Sequence, residues 1–337
     1  MKALLIGGTG TISTSVTSLL VQKGWDVAVL NRGNRSESLP EGVRVLKADV
    51  RQEASVRNAI GEETFDVVCE FVGFVPDHVR QDIGIFQGRC AQYIYISSAS
   101  AYHKPVADFR ITEGTALANP YWQYSRDKIA CEQLLLQAYE TALFPVTIVR
   151  PSHTYSERSL PVAVHGNKGP WQVLDRIRQG KQVIVHGDGT SLWTVTHASD
   201  FAKAFVGLMG HPKAIGEAFH ITSDESLTWN QIMQTIAAAL GAELHPVYVP
   251  SSILARAPQY DFRGSLLGDK ACSVVFDNTK VKRLVPDFVC TMPFCHGARL
   301  SVDTILQHPE LQLPDPEFDA FTERMIRAME TSCGALA

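Results

Sequence analysis

Tyr124 and Lys128 are the two residues in this 337-residue sequence whose types and spacing most directly suggest chemistry. They open an apolar-periodic segment, and residues four apart lie on one face of a helix, so both side chains point into the same space. A phenol with a pKa of about 10 is a poor acid or base at neutral pH, and a nearby ammonium is expected to lower that value. Tyr124 is therefore predicted to exchange protons. The simpler interpretation is an amphipathic helix with a Tyr and a Lys on its wet face.

A glycine-rich turn, residues 7–13, follows the first predicted strand, Lys2–Ile6, and leads into an apolar-periodic helix. Glycines let backbone N–H groups approach a pyrophosphate, which then lies at the positive end of the helix. Serine stands at position 13, where a dinucleotide-binding turn usually has its third glycine. A tight turn without a ligand is the alternative. The predicted cofactor contacts in this turn are Gly7, Gly10, Thr11 and Ile12.

The second predicted strand, residues 25–30, ends where an acidic residue would bind a ribose 2′-hydroxyl. No acid is present, and Arg32 and Arg35 are suited to pair with a 2′-phosphate instead. NADP is therefore favoured over NAD, although two solvated loop arginines are the alternative. The further predicted cofactor contacts are Asn31 in the same loop, Asp49 and Val50 after the third strand, and Gly73 after the fourth.

Serines follow the fifth predicted strand, residues 92–97, in the sequence Ser97-Ser98-Ala99-Ser100-Ala101-Tyr102. Hydroxyls at the carboxyl end of a strand face the crevice in which open α/β sheets bind ligands. Turn-forming serines are the alternative interpretation. The predicted order of strands and helices gives an α/β fold with a Rossmann-type doubly wound parallel sheet and a smaller C-terminal α/β substrate lobe.

Taken together, these motifs resemble the extended branch of the short-chain dehydrogenase/reductase superfamily, which contains NAD(P)-dependent sugar-nucleotide epimerases and dehydratases. The resemblance covers residues 1–240, and its order and spacing are more specific than any one motif. It rests on the glycine turn, Asp49, Ser97–Ser100 with Tyr102, Glu113, Asn119-Pro120, Tyr124-x3-Lys128, Arg150-Pro151-Ser152-His153, Gly187-Asp188-Gly189 and His197-x2-Asp200.

The resemblance implies a role for each matched residue. Tyr124 would be the acid or base, Lys128 would hold the nicotinamide ribose and lower the pKa of Tyr124, and Ser98 would bind the substrate hydroxyl or carbonyl. Ser100 is the alternative to Ser98. Pro151 would contact the cofactor. The remaining candidate substrate contacts are Ser100, Tyr102, His153 and Trp193.

Two of these positions depart from the family pattern. Many members grip a substrate diphosphate with an arginine where this chain has Leu192-Trp193-Thr194, and an aromatic ring cannot replace a guanidinium on phosphate. His153 stands where the family often has a substrate-binding asparagine, and a buried structural histidine is an equal alternative. The departures put the sugar-nucleotide assignment in question more than the enzyme class.

The predicted domains are a dinucleotide-binding Rossmann domain, residues 1–155, and an interleaved substrate lobe, residues 156–337. A strand and a helix within residues 181–210 are predicted to return to the first domain. Residues 156–171, which contain several Pro and Gly, are predicted to form a loop that closes over the substrate.

Composition narrows the partners. A formal net charge of −4 without a long basic run makes nucleic acid an unlikely partner. No apolar run reaches the roughly 20 residues that a membrane helix needs, and the start does not resemble a signal peptide. Seven scattered cysteines without metal-type spacing predict reduced thiols in a cytoplasmic protein and no metal site. A homodimer is a plausible assembly.

The leading hypothesis is an NAD(P)-dependent epimerase or dehydratase that transfers hydride at a hydroxyl or keto carbon of a sugar or nucleotide sugar. An NADP-dependent reductase or dehydrogenase of a non-nucleotide small molecule is the first alternative. A dinucleotide-sensing relative would not need Tyr124, Lys128 and Ser98 together. RNA binding is a third class, because residues 190–201 and the Asn31-Arg32-Gly33 turn resemble plant plastid relatives linked to RNA.

Overall fold

Near-continuous apolar strands form the central sheet, because strands of a parallel sheet are buried on both faces. The computed structural model describes residues 1–33 and 39–334, and within these ranges seven parallel strands form one sheet in the order β12-β7-β5-β4-β1-β2-β3. Elements are numbered along the chain. The strands of this sheet are β1 (Lys2–Ile6), β2 (Asp26–Asn31), β3 (Arg44–Lys47), β4 (Phe65–Glu70), β5 (Cys90–Ile96), β7 (Val146–Pro151) and β12 (Ala218–Ile221).

Helices cover both faces of the sheet, which is the predicted doubly wound fold. One face packs on α1 (Thr11–Gln22), α6 (Ala198–Leu208) and α9 (Thr279–Leu284). The other face packs on α2 (Glu53–Ile60), α3 (Pro76–Phe86) and α4 (Gln123–Ala142). The strand order reverses between β1 and β4, and ligands of open α/β sheets bind in the crevice at that point. The glycine turn and the serines both lie at this edge.

A second hydrophobic core belongs to the smaller lobe, which combines helices with short two-stranded sheets. A π-helix, Arg263–Lys270, lies between its strands and the cleft. The lobe strands are β6 (Arg110–Ile111), β8 (His153–Tyr155), β9 (Val183–His186), β10 (Leu192–Trp193), β11 (Val195–His197), β13 (Leu227–Thr228), β14 (Pro246–Val249) and β15 (Val275–Phe276). The lobe helices are α5 (Trp171–Arg178), α7 (Trp229–Ala239), α8 (Ser251–Leu254), α10 (Phe294–Gln307) and α11 (Pro316–Gly334).

The segment predicted to return to the Rossmann domain, residues 181–210, packs partly in the core of the central sheet and partly in the core of the smaller lobe. Helix α6 packs on α1, as predicted. The strand prediction needs correction, because β9 pairs with β14 and its side chains lie in the lobe core. An apolar run indicates burial but not which core it enters. Strand β12, which the sequence did not assign to the main sheet, pairs with β7 at its edge.

The loop predicted to close over the substrate has a different role. Leu160, Val162 and Val164 are buried in the lobe core. The described lining of the cavity beside Tyr124 and Lys128 contains Thr154 but no residue of the 156–171 segment. Among the helices that the structure describes, none combines the length and the hydropathy needed to cross a membrane.

Candidate functional site

The glycine turn connects β1 to α1 through two backbone conformations that favour glycine. Gly7 has φ +105° and Gly8 has φ +67°, and a Cβ atom on Gly8 would overlap the Val29 side chain. Gly10 caps α1, and its N–H group donates to Ser13 Oγ over 2.8 Å. Serine at the third position therefore anchors the turn through its hydroxyl.

A cavity of about 720 Å³ opens above this turn at the carboxyl ends of β1 to β4. Its shape and lining fit a dinucleotide, because the positive end of α1 and an unobstructed Gly10 face it. A Cβ atom added to Gly10 would have only Ser13 Oγ near it, at 3.6 Å. The predicted cofactor residues that line this cavity are Gly7, Gly10, Thr11, Ile12, Asn31, Arg32, Asp49 and Val50, whereas Arg35 lies outside the described residues.

Asn31 also has a structural role beside the dinucleotide cavity. Its Oδ1 atom accepts a hydrogen bond from the Gly33 N–H group over 2.7 Å, and its Nδ2 atom donates to the Gly7 carbonyl over 3.4 Å. Asn31 therefore fastens the turn after β2 to the glycine turn. Arg51 also lines this cavity and was not predicted from the sequence.

Tyr124, Lys128 and Ser98 converge on a second cavity of about 370 Å³. Tyr124 and Lys128 lie in the first turns of α4, and Ser98 follows β5. The Ser98 side chain lies near enough to Tyr124 to affect the pKa of its phenol. The Lys128 Nζ atom lies 5.7 Å from the centre of the Tyr124 ring. The two cavities share walls and form one cleft; the residues common to both are Thr11, Ile12, Phe71, Phe74 and Ile96.

The pKa of Tyr124 departs from the sequence prediction. Burial raises it above its ordinary value, the interaction with the Ser98 side chain opposes that rise, and the negative charge of Asp269 adds to it. Burial also lowers the pKa of Lys128 to about 8. The sequence predicted that Lys128 lowers the pKa of Tyr124. That prediction is wrong, because the pKa of Tyr124 is raised. The Lys128 ammonium is directed at the Gly73 and Ile96 carbonyls, each 2.7 Å from Nζ.

Ser100 and Tyr102 differ in their relation to the cleft. Ser100 Oγ lies 2.8 Å from Ser98 Oγ and 2.7 Å from Ser125 Oγ, so it supports Ser98 from behind while lining the cavity. Tyr102 is fully buried and lies outside the described lining of both cavities. Its hydroxyl pairs with His220 Nδ1 over 3.1 Å. The predicted substrate contact of Tyr102 is therefore wrong, because its hydroxyl is used inside the protein.

Gly73 and Pro151 were both predicted to contact the cofactor. Pro151 lines the second cavity. Gly73 lies outside the described lining of both cavities, and a Cβ atom there would lie 3.0 Å from Glu70 Cγ and 3.1 Å from Tyr95 Cε2. Glycine is needed at this position for close packing beneath the cleft, and its carbonyl holds Lys128. The predicted direct approach of Gly73 to the cofactor is thus replaced by an indirect role.

His153 and Trp193 both line the second cavity. Burial, together with the positive charge of Lys270, lowers the pKa of His153 to about 3, so the imidazole is neutral at pH 7. A neutral imidazole offers one hydrogen-bond donor and one acceptor. Trp193 is 4% exposed and packs on Trp229 with ring centres 5.5 Å apart. Its ring forms a wall of the cavity and has little surface on which a base could stack.

Asp269 is a residue of this site that sequence reasoning missed. It lines the second cavity from the π-helix, and burial raises the pKa of its carboxyl to about 6 while Lys104 and Lys270 oppose the rise. The π-helix packs on the N-terminal end of α4, because Gly264 and Gly268 lie against the Trp122 side chain. Gly264-x3-Gly268 was the only local signal for this packing, and nothing in the spacing links it to Tyr124.

Two curated relatives share most of this chain. A 2′-dehydrokanamycin reductase from Streptomyces kanamyceticus is 26% identical over 291 residues, which is 86% of this chain and 80% of the relative. The chloroplast stem-loop binding protein of 41 kDa b from Arabidopsis thaliana is 25% identical over 253 residues. That match covers 71% of this chain and 63% of the relative.

The solved structures agree with the fold. UDP-glucose 4-epimerase from Bifidobacterium longum, in complex with NAD⁺ and UDP, superposes with a TM-score of 0.72 at 19% identity and covers 93% of this chain and 100% of its own. The family model described as NAD dependent epimerase/dehydratase family matches residues 3–222 of this chain. This range includes the glycine turn, Ser98, Tyr124 and Lys128. The chain belongs to the NAD dependent epimerase/dehydratase family.

Proposed function

We propose that this protein transfers hydride at a hydroxyl or keto carbon of a sugar or nucleotide sugar, as an NAD(P)-dependent epimerase, dehydratase or reductase. The observation that carries the proposal is the position of Tyr124, Ser98 and Lys128 around a cavity continuous with the dinucleotide cavity. Giving or accepting hydride is the chemistry that a nicotinamide dinucleotide supplies when bound. The glycine turn, Asp49 and Val50 would hold its adenosine diphosphate part.

Tyr124 is the proposed acid or base. When a carbinol loses hydride its hydroxyl proton must also leave, so the base has to lie within hydrogen-bond reach of that oxygen. Ser98 and Tyr124 line the same cavity near each other, which supports a substrate oxygen bound between their hydroxyls. Lys128, buried beneath Tyr124, would hold the nicotinamide ribose and place positive charge near a developing phenolate.

A reductase of a phosphate-free compound is the second candidate. The described lining of the second cavity contains one ammonium, Lys128, and no guanidinium, while Asp269 contributes a carboxylate. A diphosphate is poorly matched to such a wall, because phosphate binding favours arginine and lysine. The similarity to a 2′-dehydrokanamycin reductase supports this alternative.

NADP is the proposed preferred dinucleotide. Arg32 lines the cofactor cavity at the end of β2, where an acidic residue would otherwise select a 2′-hydroxyl. Its guanidinium is suited to a 2′-phosphate. Arg35 remains a second candidate for this contact.

The test is dinucleotide binding followed by a search for hydride transfer. Purified protein is expected to bind NADPH or NADH, measured by nucleotide fluorescence, and to transfer hydride to or from a panel of keto sugars and nucleotide sugars. Cofactor retained through purification would support an epimerase or dehydratase, because such an enzyme regenerates its dinucleotide within each turnover. Free exchange would support the reductase. Failure to bind either dinucleotide at millimolar concentration would refute the proposal.

Assembly, compartment and nucleic-acid binding remain separate predictions. A homodimer would pair α3 and α4 with their copies, and light scattering at several concentrations tests it. Reduced cysteines are consistent with a cytoplasmic location. We expect RNA not to be the physiological ligand, because a net charge of −4 argues against binding to a phosphate backbone, although one relative is named as a stem-loop binding protein. A gel shift that persists at physiological salt would contradict that exclusion.

A further inference from the structure

Two acidic side chains are buried close together beneath the cleft. Glu70 is the last residue of β4, Asp82 lies in α3, and they are 2% and 5% exposed. The two carboxyl groups are near enough for each to change the pKa of the other. Ionising two neighbouring carboxylates together in one buried site is unfavourable because their charges repel and neither is solvated, so we assign a proton to one of them.

The surroundings indicate which group holds the proton. Asp82 Oδ2 accepts a hydrogen bond from the Tyr93 hydroxyl over 2.7 Å, which stabilises a carboxylate on Asp82. Burial and the nearby charge of Asp82 raise the pKa of Glu70 well above its ordinary value, and burial raises the pKa of Asp82 to about 6. Glu70 is therefore assigned as the protonated partner.

Glu70 also fixes the turn after β4. Its Oε1 atom accepts a hydrogen bond from the Val72 N–H group. Gly73 packs against the Glu70 side chain, and the Gly73 carbonyl accepts hydrogen bonds from Lys128 Nζ over 2.7 Å and from the Tyr95 hydroxyl over 3.0 Å. Val72 in turn lines the dinucleotide cavity. A continuous chain of contacts thus runs from Asp82 through Glu70 and the turn to Lys128.

We propose that Glu70 and Asp82 share one proton and that this pair positions the Val72–Gly73 turn, and through it Lys128, for the bound dinucleotide. The inference rests on the proposed cofactor site. Glu70 is a positioning residue, because it lies outside the described lining of both cavities and acts through the turn. The titratable or charged groups facing the pair are Cys69 in β4, Tyr93 and Tyr95 in β5, Arg51 after β3 and Lys128 in α4.

Two substitutions at position 70 separate the effect of losing the carboxyl proton from the effect of losing the hydrogen-bond acceptor for Val72. Glu70→Gln keeps an acceptor for Val72 and a donor for Asp82, so the Kd for NADPH is expected to stay within about twofold of the native protein. Glu70→Met removes the acceptor and leaves the Val72 N–H group without it, so the Kd is expected to rise about tenfold. Glu62→Gln, whose carboxylate is 98% exposed, is the matched control. Equal weakening by Gln and Met, or native binding by Met, overturns the proposal.

The pH dependence of unfolding tests the shared proton without any cofactor. Between its unfolded pKa of about 4.5 and its raised folded pKa, Glu70 keeps a proton that the unfolded chain has released, so native stability falls as pH rises. Glu70→Gln removes this dependence. Relative to the native protein, its folding equilibrium constant is expected to improve by up to about tenfold per pH unit from pH 5 upward. A difference that does not change with pH overturns the shared proton, even if dinucleotide binding also fails.

Discussion

The dinucleotide end of the cleft is lined by residues between Gly7 and Phe74 and by Ile96, whereas the substrate end draws residues from seven separate parts of the chain up to Phe276. The first end is formed by the carboxyl-terminal residues of strands of the central sheet and by the segments that directly follow them, including the start of α1. The second end is closed by the smaller lobe, through Trp193, Thr194 and the π-helix. Binding of the adenosine diphosphate part of the cofactor would therefore depend on the sheet and the segments after its strands, while substrate choice depends on how the lobe packs against it.

The proton-transfer residue gives the largest expected effect and should separate chemistry from cofactor binding. Tyr124→Phe removes the hydroxyl, so kcat is expected to fall by about 10²–10⁴. The Kd for NADPH should change by less than about twofold, because the dinucleotide cavity does not include Tyr124. Steady-state kinetics and fluorescence titration measure the two quantities. Tyr139→Phe in the same helix is the control, and retention of a tenth of the native turnover by Tyr124→Phe would rule out the assignment.

Lys128 lines the substrate end but is also proposed to hold the nicotinamide ribose, so its substitution should affect both ends of the cleft. Lys128→Met is expected to raise the Kd for NADPH about tenfold and to lower kcat as well, because it removes the buried ammonium. Since burial lowers the pKa of Lys128 to about 8, its charge is lost above that pH. Native binding should therefore weaken between pH 7 and 9, and Lys128→Arg should bind independently of pH in this range. Lys213→Met on the exposed surface is the control. Flat native binding across pH 7–9 would contradict the role.

Asp269 should affect the substrate end alone. Asp269→Asn removes the carboxylate from the cavity wall, and KM for the substrate is expected to rise about tenfold while the Kd for NADPH is unchanged. The substitution also removes a negative charge that raises the pKa of Tyr124, so the alkaline limb of kcat/KM should move to lower pH. Asp303→Asn, an exposed carboxylate of α10, is the matched control. An unchanged KM and pH profile would exclude Asp269 from substrate recognition.

Arg32 should have the smallest effect, confined to the far side of the dinucleotide end. Arg32→Ser is expected to weaken NADPH binding about fivefold and to leave NADH binding unchanged, because only NADPH carries the 2′-phosphate. Arg80→Ser, at an exposed site on α3, controls for the loss of a positive charge. Parallel fluorescence titrations with the two dinucleotides measure the ratio. Equal weakening of both would show that Arg32 does not discriminate between them.

The contrast between the two ends of the cleft also explains which site residues could be predicted from the sequence. Glycine turns and the Tyr124–Lys128 pair depend on local spacing, so the cofactor end and the proton-transfer residues could be located before the structure was known. Asp269 lies more than 140 residues from Tyr124, and no local pattern couples them. Tyr102 was misassigned because the sequence does not show that its hydroxyl pairs with His220 Nδ1 inside the protein. Likewise, the apolar run of β9 could not indicate that its partner is β14.

The crossing of the chain between its two cores has a practical consequence for dissecting the protein. Strand β12 completes the sheet edge beside β7, and α6 and α9 cover the same face as α1. A fragment ending at residue 155 would lack all three, leaving an open strand edge and an uncovered apolar surface prone to aggregation. Neither half is expected to survive on its own, so limited proteolysis between the lobes should end in loss of the whole fold.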